Sequence, residues 1–131
     1  MTSSVTYHEI QGLGAPVSSY TSVVGVREGT ILFVSGKCPV DENGKTIGKD
    51  IEIQIRQVIK NMEAALKKSS ATLENVVKLN AYFTLKECFP VWRKVRSEVF
   101  KNDFPASTAI LVPGLAFDDW LVEIEAYAFV S

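Results

Sequence analysis

The sequence VKLNAYFT, residues 77–84, alternates apolar and polar side chains with a period of two, which is the pattern of a half-buried β-strand. Successive side chains of a strand point to opposite faces of a sheet. One face of this strand therefore collects Val77, Leu79, Ala81 and Phe83, and the other Lys78, Asn80, Tyr82 and Thr84. We expect a second layer of structure to cover the apolar face.

The segments on either side of this strand have helical periodicity. Asp50 is a candidate N-cap for a first helix, and Lys67 and Lys68 suit its last turn, where the helix dipole favours cations. A second helix is predicted over about residues 89–100, with Pro90 tolerated in its first turn. The apolar stripes are Ile51, Ile55, Val58, Ile59, Met62, Ala65 and Leu66 in the first helix, and Phe89, Trp92, Val95, Val99 and Phe100 in the second.

Further strands are predicted around these elements. Residues 21–26 and 29–36 are rich in β-branched and aromatic side chains with a turn signal between them, which predicts a hairpin. Residues 107–112 and 121–130 are strand-like, and residues 5–10 are a candidate extra strand. The order β-β-α-β-α-β-β predicts a single α+β domain over residues 1–131, a two-layer sandwich whose mixed sheet carries both helices on one face. Its other face then needs a partner.

Composition restricts the kinds of function. Fourteen Lys and Arg against fifteen Asp and Glu give a formal net charge of -1, which argues against a phosphate-backbone binder. We expect no nucleic-acid partner and no membrane span, because no apolar run approaches the roughly 20 residues that a span needs. The expected location is the cytoplasm. A mean hydropathy of +0.11 is high for so small a domain and favours a homo-oligomer.

Two acidic residues on the last strand are candidates for chemistry. Glu123 and Glu125 are two residues apart and therefore point to the same side, where a desolvated carboxylate could hold or activate a water; a solvated strand face is the alternative. Cys38 could be a nucleophile, but it is more simply read as a small buried hydrophobe. With His8 as the single histidine we expect no histidine-rich metal site, and Gly12 and Gly14 do not complete a nucleotide fingerprint, so no cofactor is expected.

A small basic cluster lies on the second predicted helix. It consists of Arg93, Lys94 and Arg96, and its simplest interpretation is a solvated helix face. Contact with RNA has no support, since the aromatic side chains nearby belong to the apolar stripe.

Five short motifs, in order along nearly the whole chain, resemble the RidA/YjgF family: APVSSY (15–20), FVSGKCPVD (33–41), VKLNAYFT (77–84), FPA (104–106) and VEIEA (122–126). The resemblance implies a chorismate-mutase-like α+β fold, assembled as a homotrimer around a central barrel with a small-molecule pocket at each subunit interface. It also implies cofactor-free hydrolysis of reactive enamines and imines, such as 2-imino acids, to 2-oxo acids and ammonia.

The resemblance assigns roles by position. Glu123 matches the acid that positions the attacking water. Tyr20 would line the pocket, Ser35 and Gly36 would shape its wall, and Ala109 would offer backbone groups. A protonated imine carbon is already electrophilic, so holding substrate and water in register could suffice without a nucleophile or a metal.

The sequence departs from the family pattern at Ser107. There the family has an arginine whose planar fork can bind a substrate carboxylate, and serine has neither the charge nor the reach. Arg93 stands where the family commonly has an asparagine near the pocket. We hypothesise that Arg93, or Lys37 after Gly36, supplies the positive charge from a new direction.

Three functions compete at this stage. The first is a RidA-like hydrolase or deaminase with an altered substrate, and the second is a non-catalytic trimer that binds a small metabolite or regulates a partner protein. The third is a ribonuclease or translation inhibitor, a label often attached to the family. An acidic isoelectric point, the single His8 and the lack of a basic groove disfavour it.

Overall fold

The structure of the protein is a computed structural model that describes residues 3–10, 12 and 19–131. Within these residues, six strands and two α-helices follow one another in the order β1, β2, β3, α1, β4, α2, β5 and β6, with a short 3-10 turn at Leu73–Asn75 before β4. The bounds are β1 Val5–His8, β2 Val23–Val26, β3 Thr30–Lys37, α1 Ile51–Lys67, β4 Val76–Phe83, α2 Cys88–Val99, β5 Ala106–Leu111 and β6 Val122–Val130.

The main sheet has four strands in the order β3-β6-β4-β5 and is mixed, as predicted. β6 pairs antiparallel with both β3 and β4, whereas β4 and β5 are parallel and are joined through α2. This arrangement leaves β3 and β5 as the two outer strands of the sheet.

Both helices lie on one face of this sheet, which confirms the α+β two-layer arrangement. Asp50 caps α1 by accepting the backbone N–H of Ile53 at 3.0 Å. The rings of Phe83 and Trp92 are fully buried between β4 and α2, with centroids 6.2 Å apart. Full burial of one large apolar side chain contributes roughly 1.5–3 kcal/mol, so the packed stripes hold the two layers together.

The alternation of β4 is confirmed with one local change. The register between β4 and β6 shifts between Val76 and Lys78, which places the extra residue of a β-bulge at Val77. Val76 is therefore buried in the core and Val77 is only half-buried.

The predicted hairpin between residues 21–26 and 29–36 is wrong. β2 pairs with the extra strand β1 in a separate two-stranded sheet, and β3 pairs with β6. Gly29 allows the change of partner, because a Cβ there would lie 2.5 Å from the carbonyl oxygen of Val130. The chain leaves the β1-β2 sheet at this close approach and continues along β6.

The face of the main sheet opposite the helices, which we call the open face, is not covered by the described residues of the chain. Its apolar members Ile31, Phe33, Ile110 and Tyr127 are exposed, Phe33 to 76%. Glu123, Glu125, Lys78, Asn80 and Tyr82 are the half-buried polar members, by the alternation of β6 and β4. In the described ranges no helix is long and apolar enough to span a membrane.

Candidate functional site

Glu123 lies on the open face beside a bulge in β3. The register between β3 and β6 shifts between Val34 and Lys37, which leaves Ser35 and Gly36 at the irregularity. A Cβ on Gly36 would lie 3.0 Å from the Glu123 carboxyl carbon and from its Oε2. A side chain at residue 36 would crowd the carboxylate, and the structure brings together Gly36 and Glu123, two of the predicted site residues. Ser35 is exposed at the same bulge.

The thiol of Cys38 completes this group. Cys38 Sγ donates a hydrogen bond to Glu123 Oε1 at 2.9 Å. Burial, the hydrogen bond to Glu123 and the charge of Glu123 raise the pKa of Cys38 to about 12, against a small opposing effect of Lys37. The thiol therefore stays protonated at neutral pH, and the thiolate needed for nucleophilic attack does not form. The interpretation of Cys38 as a small buried hydrophobe is wrong, because its side chain is half-buried and donates a hydrogen bond. We call Gly36, Cys38 and Glu123 the acidic group.

Glu125 has different partners. Tyr82 Oη donates to Glu125 Oε1 at 2.5 Å, and Asn80 Nδ2 lies 3.5 Å from the same oxygen. The hydrogen bond to Glu125 is the largest cause of a raised pKa for Tyr82. Both glutamates share a side of β6, as predicted, and both are half-buried within a single chain. A freely solvated strand face does not describe them.

A second group forms around Arg96 on α2. Arg96 is 5% exposed, and its Nη1 donates to Ser107 Oγ at 2.9 Å while its Nε donates to Ser19 Oγ at 3.3 Å. Its guanidinium carbon lies 5.9 Å from the Tyr20 ring centroid and 5.5 Å from that of Trp92, within cation–π range. Burial, then the charge of Arg93, lowers the pKa of Arg96. We call Arg96, Ser107 and Tyr20 the basic group.

The prediction that Arg93, Lys94 and Arg96 share a solvated helix face is therefore wrong for Arg96. Arg93 and Lys94 are exposed, and Lys94 pairs with Glu52 of α1 at 2.9 Å. Arg96 follows Trp92 by one helical turn, so it shares the buried side of α2. That spacing was the signal in the sequence that could have identified it.

The remaining candidates lie around these two groups. The side chain in contact with Ser107 is Arg96, whereas Arg93 is exposed one turn away on the helix. Lys37 ends β3 next to Cys38. Ala109 is on the outer strand β5, paired with Ala81 of β4. Of the family-like motif at residues 15–20, residues 15–18 and Gly14 before it lie outside the described residues.

One chain does not bring the two groups together. Ser107 of β5 lies beside Leu79 of β4, which in turn pairs with Ala126 of β6. Two strand spacings and three residue rises therefore separate Ser107 from Glu123, a distance of roughly 14 Å between backbone positions. The strand alternation also points Ser107 toward the helices and Glu123 toward the open face. The predicted site residues thus divide into an acidic group and a basic group.

The described residues contain no cluster of three or more His, Cys, Asp or Glu side chains that could hold a metal ion. The single histidine, His8, is exposed on β1 and shares a hydrogen bond with Thr6 at 3.0 Å. Neither group includes it.

Comparison with known proteins places these features in a family. The family model described as Endoribonuclease L-PSP matches residues 12–130. A RutC family protein of Pyrococcus abyssi is 36% identical over 87% of this chain and 88% of its own length. A putative regulator AldR of Lactococcus lactis is 34% identical over 93% of this chain and 97% of its own.

A more distant relative carries an enzyme name. A 2-iminobutanoate/2-iminopropanoate deaminase of Dermatophagoides farinae is 28% identical over 88% of this chain and 89% of its own length. Among solved structures, a Rid family protein of unknown function from Yersinia pestis superposes with a TM-score of 0.90 at 24% identity, over 98% of this chain and 100% of that one. That likeness shows the shared fold, and the family model together with the sequence relatives shows that the chain belongs to the RidA/YjgF family.

Proposed function

We propose that the protein is a cofactor-free hydrolase of reactive imines or enamines, working as a homotrimer in which two neighbouring copies build each site. The acidic group of one copy would position the attacking water, and the basic group of the next would bind the anionic end of the substrate. The observation that carries the proposal is the arrangement itself: a confined carboxylate and a buried guanidinium lie two strands apart on opposite sides of one sheet. The deaminase name of the relative from Dermatophagoides farinae supports the reaction class.

The chemistry needs little more than a placed carboxylate. In a protonated imine the carbon of the C=N bond is electrophilic, so water can add to it while a carboxylate accepts the water proton. The resulting carbinolamine loses ammonia as its C–N bond breaks, which leaves a carbonyl group. Glu123 would accept and return the proton, because its Oε1 is fixed by Cys38 while a carboxylate keeps several further lone-pair positions for a water.

Arg96 is the residue we assign to the substrate carboxylate, in place of Arg93 or Lys37. Its guanidinium already contacts Ser107, the position at which the family pattern has an arginine. Tyr20, expected to line the pocket, stacks on the same guanidinium at 5.9 Å. A buried cation also gains more from a bound anion than an exposed one, since the local dielectric constant is lower. Ser107 would then orient this arginine and offer its hydroxyl to the ligand.

The exposed apolar side chains of the open face support the proposed assembly. Phe33 and Tyr127 pack edge to face at 5.4 Å on this surface, yet Phe33 remains 76% exposed. Large exposed apolar patches on small domains typically mark protein interfaces. A second copy seated on this face and against the outer strands would bring its basic group toward Glu123. Light scattering of the unmodified protein and of Phe33→Asp tests this: we expect a trimer and a smaller species, respectively.

The experiment that tests the function is imine hydrolysis. An amino-acid oxidase generates 2-imino acids in the cuvette, semicarbazide traps the imine that survives, and the protein should reduce the trapped fraction. We expect loss of this effect in Glu123→Gln and weaker substrate binding in Arg96→Gln. Ser107→Arg measures whether an arginine at the family position improves turnover or collides with Arg96. The proposal would be contradicted if neither the unmodified protein nor Ser107→Arg hydrolyses the imine.

A non-catalytic trimer that binds a metabolite is the second candidate. Two findings favour it. Arg96 Nη1 already donates a hydrogen bond to Ser107 Oγ at 2.9 Å, and the chain is 34% identical to a putative regulator. A ligand that raises the melting temperature and is recovered unchanged would support this function.

A further inference from the structure

The contact between Cys38 and Glu123 is made by a thiol whose position is fixed independently of the carboxylate. Asn61 Nδ2 of α1 donates to the carbonyl oxygen of Cys38 at 2.9 Å. The same amide, together with Gln57 Nε2, also donates to the carbonyl oxygen of Val40 at 2.9 and 3.0 Å. Two helix side chains therefore hold the segment after β3, and the thiol is presented to Glu123 from a braced backbone.

Gly36 leaves room for this carboxylate. A Cβ at residue 36 would lie 3.0 Å from the Glu123 carboxyl carbon and from its Oε2, so a larger residue there would crowd the side chain. The hydrogen bond from Cys38 holds Oε1 of a long side chain that would otherwise sample several rotamers.

The other titratable groups around this pair lie on β3, β4, β6 and α1, and Asp41 and Glu42 after β3 line the same cleft as Cys38. Lys37 lies on β3, Tyr82 is the cross-strand neighbour of Glu123 on β4, and Glu125 follows on β6. Lys60 of α1 lines the same cleft as Cys38. The thiol differs from all of these because it donates a hydrogen bond directly to Glu123.

We propose that Cys38 is a positioning residue for Glu123: its protonated thiol holds Oε1 so that the rest of the carboxylate faces the water to be activated. The inference rests on the proposed function, since it concerns the same carboxylate. Burial and Glu123 hold the thiol in its protonated state, with the pKa of Cys38 raised to about 12.

The activity test compares Cys38→Val, Cys38→Ser and the unmodified protein in the imine-trapping assay. Valine removes the donor at similar volume, and serine keeps a donor. We expect Cys38→Val to lower kcat about three- to tenfold with little change in KM, because the carboxylate loses its fixed orientation and not its place in the binding site. Cys38→Ser should recover most of the rate.

A second test needs no turnover. Alkylation of Cys38 by iodoacetamide is followed against pH by peptide mass spectrometry, which separates it from the fully buried Cys88. Burial, the hydrogen bond to Glu123 and the charge of Glu123 raise the pKa of Cys38, so Glu123→Gln should speed alkylation of Cys38 at a fixed pH below that pKa. Lys37→Gln is the matched control and should slow alkylation, since Lys37 lowers the pKa of Cys38.

The outcomes separate the two ideas. If Cys38→Val has the unmodified kcat while Glu123→Gln is inactive, the positioning role is wrong and the proposed function stands. Equal alkylation profiles in the unmodified protein and Glu123→Gln would likewise overturn the contact. If no variant hydrolyses an imine but Glu123→Gln speeds alkylation of Cys38, the contact between Cys38 and Glu123 is real and the proposed hydrolase function is wrong.

Discussion

The acidic and the basic group differ in how the fold produces them and in what surrounds them. Glu123 stands on a strand at the open face, half-buried, with its partners Gly36 and Cys38 supplied by the neighbouring strand. Arg96 is 5% exposed beneath a helix and reaches across to Ser107 on an outer strand. Opposite charges close together in one chain would neutralise each other as an ion pair. Within one chain Glu123 and Arg96 lie on opposite sides of the main sheet, so they do not form such a pair with each other.

The largest effect is expected from removing the acid. Glu123→Gln keeps size and polarity but cannot accept a proton, so turnover should fall by about 10²–10⁴-fold, the usual contribution of a positioned base. Stopped assays with trapped imine measure the rate, and thermal melting serves as the control for folding. Turnover within a few-fold of the unmodified protein would assign the chemistry elsewhere, with Glu125 the first residue to test.

A subunit-mixing experiment tests whether the two groups act across an interface. Glu123→Gln and Arg96→Gln are each impaired in a different group, so trimers assembled from both contain some interfaces with an intact acid and an intact cation. Random mixing should restore about a quarter of the unmodified activity, because each interface needs one half from each variant. Mixtures that are only as active as the average of the two variants would place the site within one chain.

Removing the cation should have an intermediate effect. A charge-assisted hydrogen bond is worth roughly 1.5–3 kcal/mol, so Arg96→Gln should weaken carboxylate binding by about 10- to 100-fold. Isothermal titration with a 2-oxo acid product measures the affinity directly. Arg96→Lys keeps the charge without the fork, and Arg93→Gln removes the exposed neighbour; the latter should change affinity by less than about threefold. A larger loss in Arg93→Gln than in Arg96→Gln would reverse the assignment.

The smallest effect is expected at the second glutamate. Tyr82→Phe deletes the donor that contacts Glu125 at 2.5 Å and leaves the contacts of Glu123 intact. We expect a change in kcat of no more than about fivefold, because Glu125 is not the proposed base. Steady-state kinetics of Tyr82→Phe beside Glu123→Gln provide the comparison, and a similar loss in both would merge the two glutamates into one functional unit.

The faces of β6 and the layer of helices could be predicted from local sequence, whereas the pairing of strands and the burial of Arg96 could not. The alternation in β6 predicts Glu123 and Glu125 on one side, and the order of helices and strands predicts both helices on the same face of the sheet. The hairpin prediction failed because β-propensity identifies a strand but not its partner. The charge of Arg96 predicts a solvated side chain, although its position one turn after Trp92 places it on the buried side of α2.

The sequence by itself determined the elements, the layer arrangement and the resemblance to the RidA/YjgF family, because periodicity and short motifs are properties of neighbouring residues. Only the tertiary structure decided that β3 joins β6, that Cys38 donates to Glu123, and that Arg96 rather than Arg93 or Lys37 contacts Ser107. These contacts join residues far apart in the chain. Their energies depend on burial and distance, which no local pattern contains.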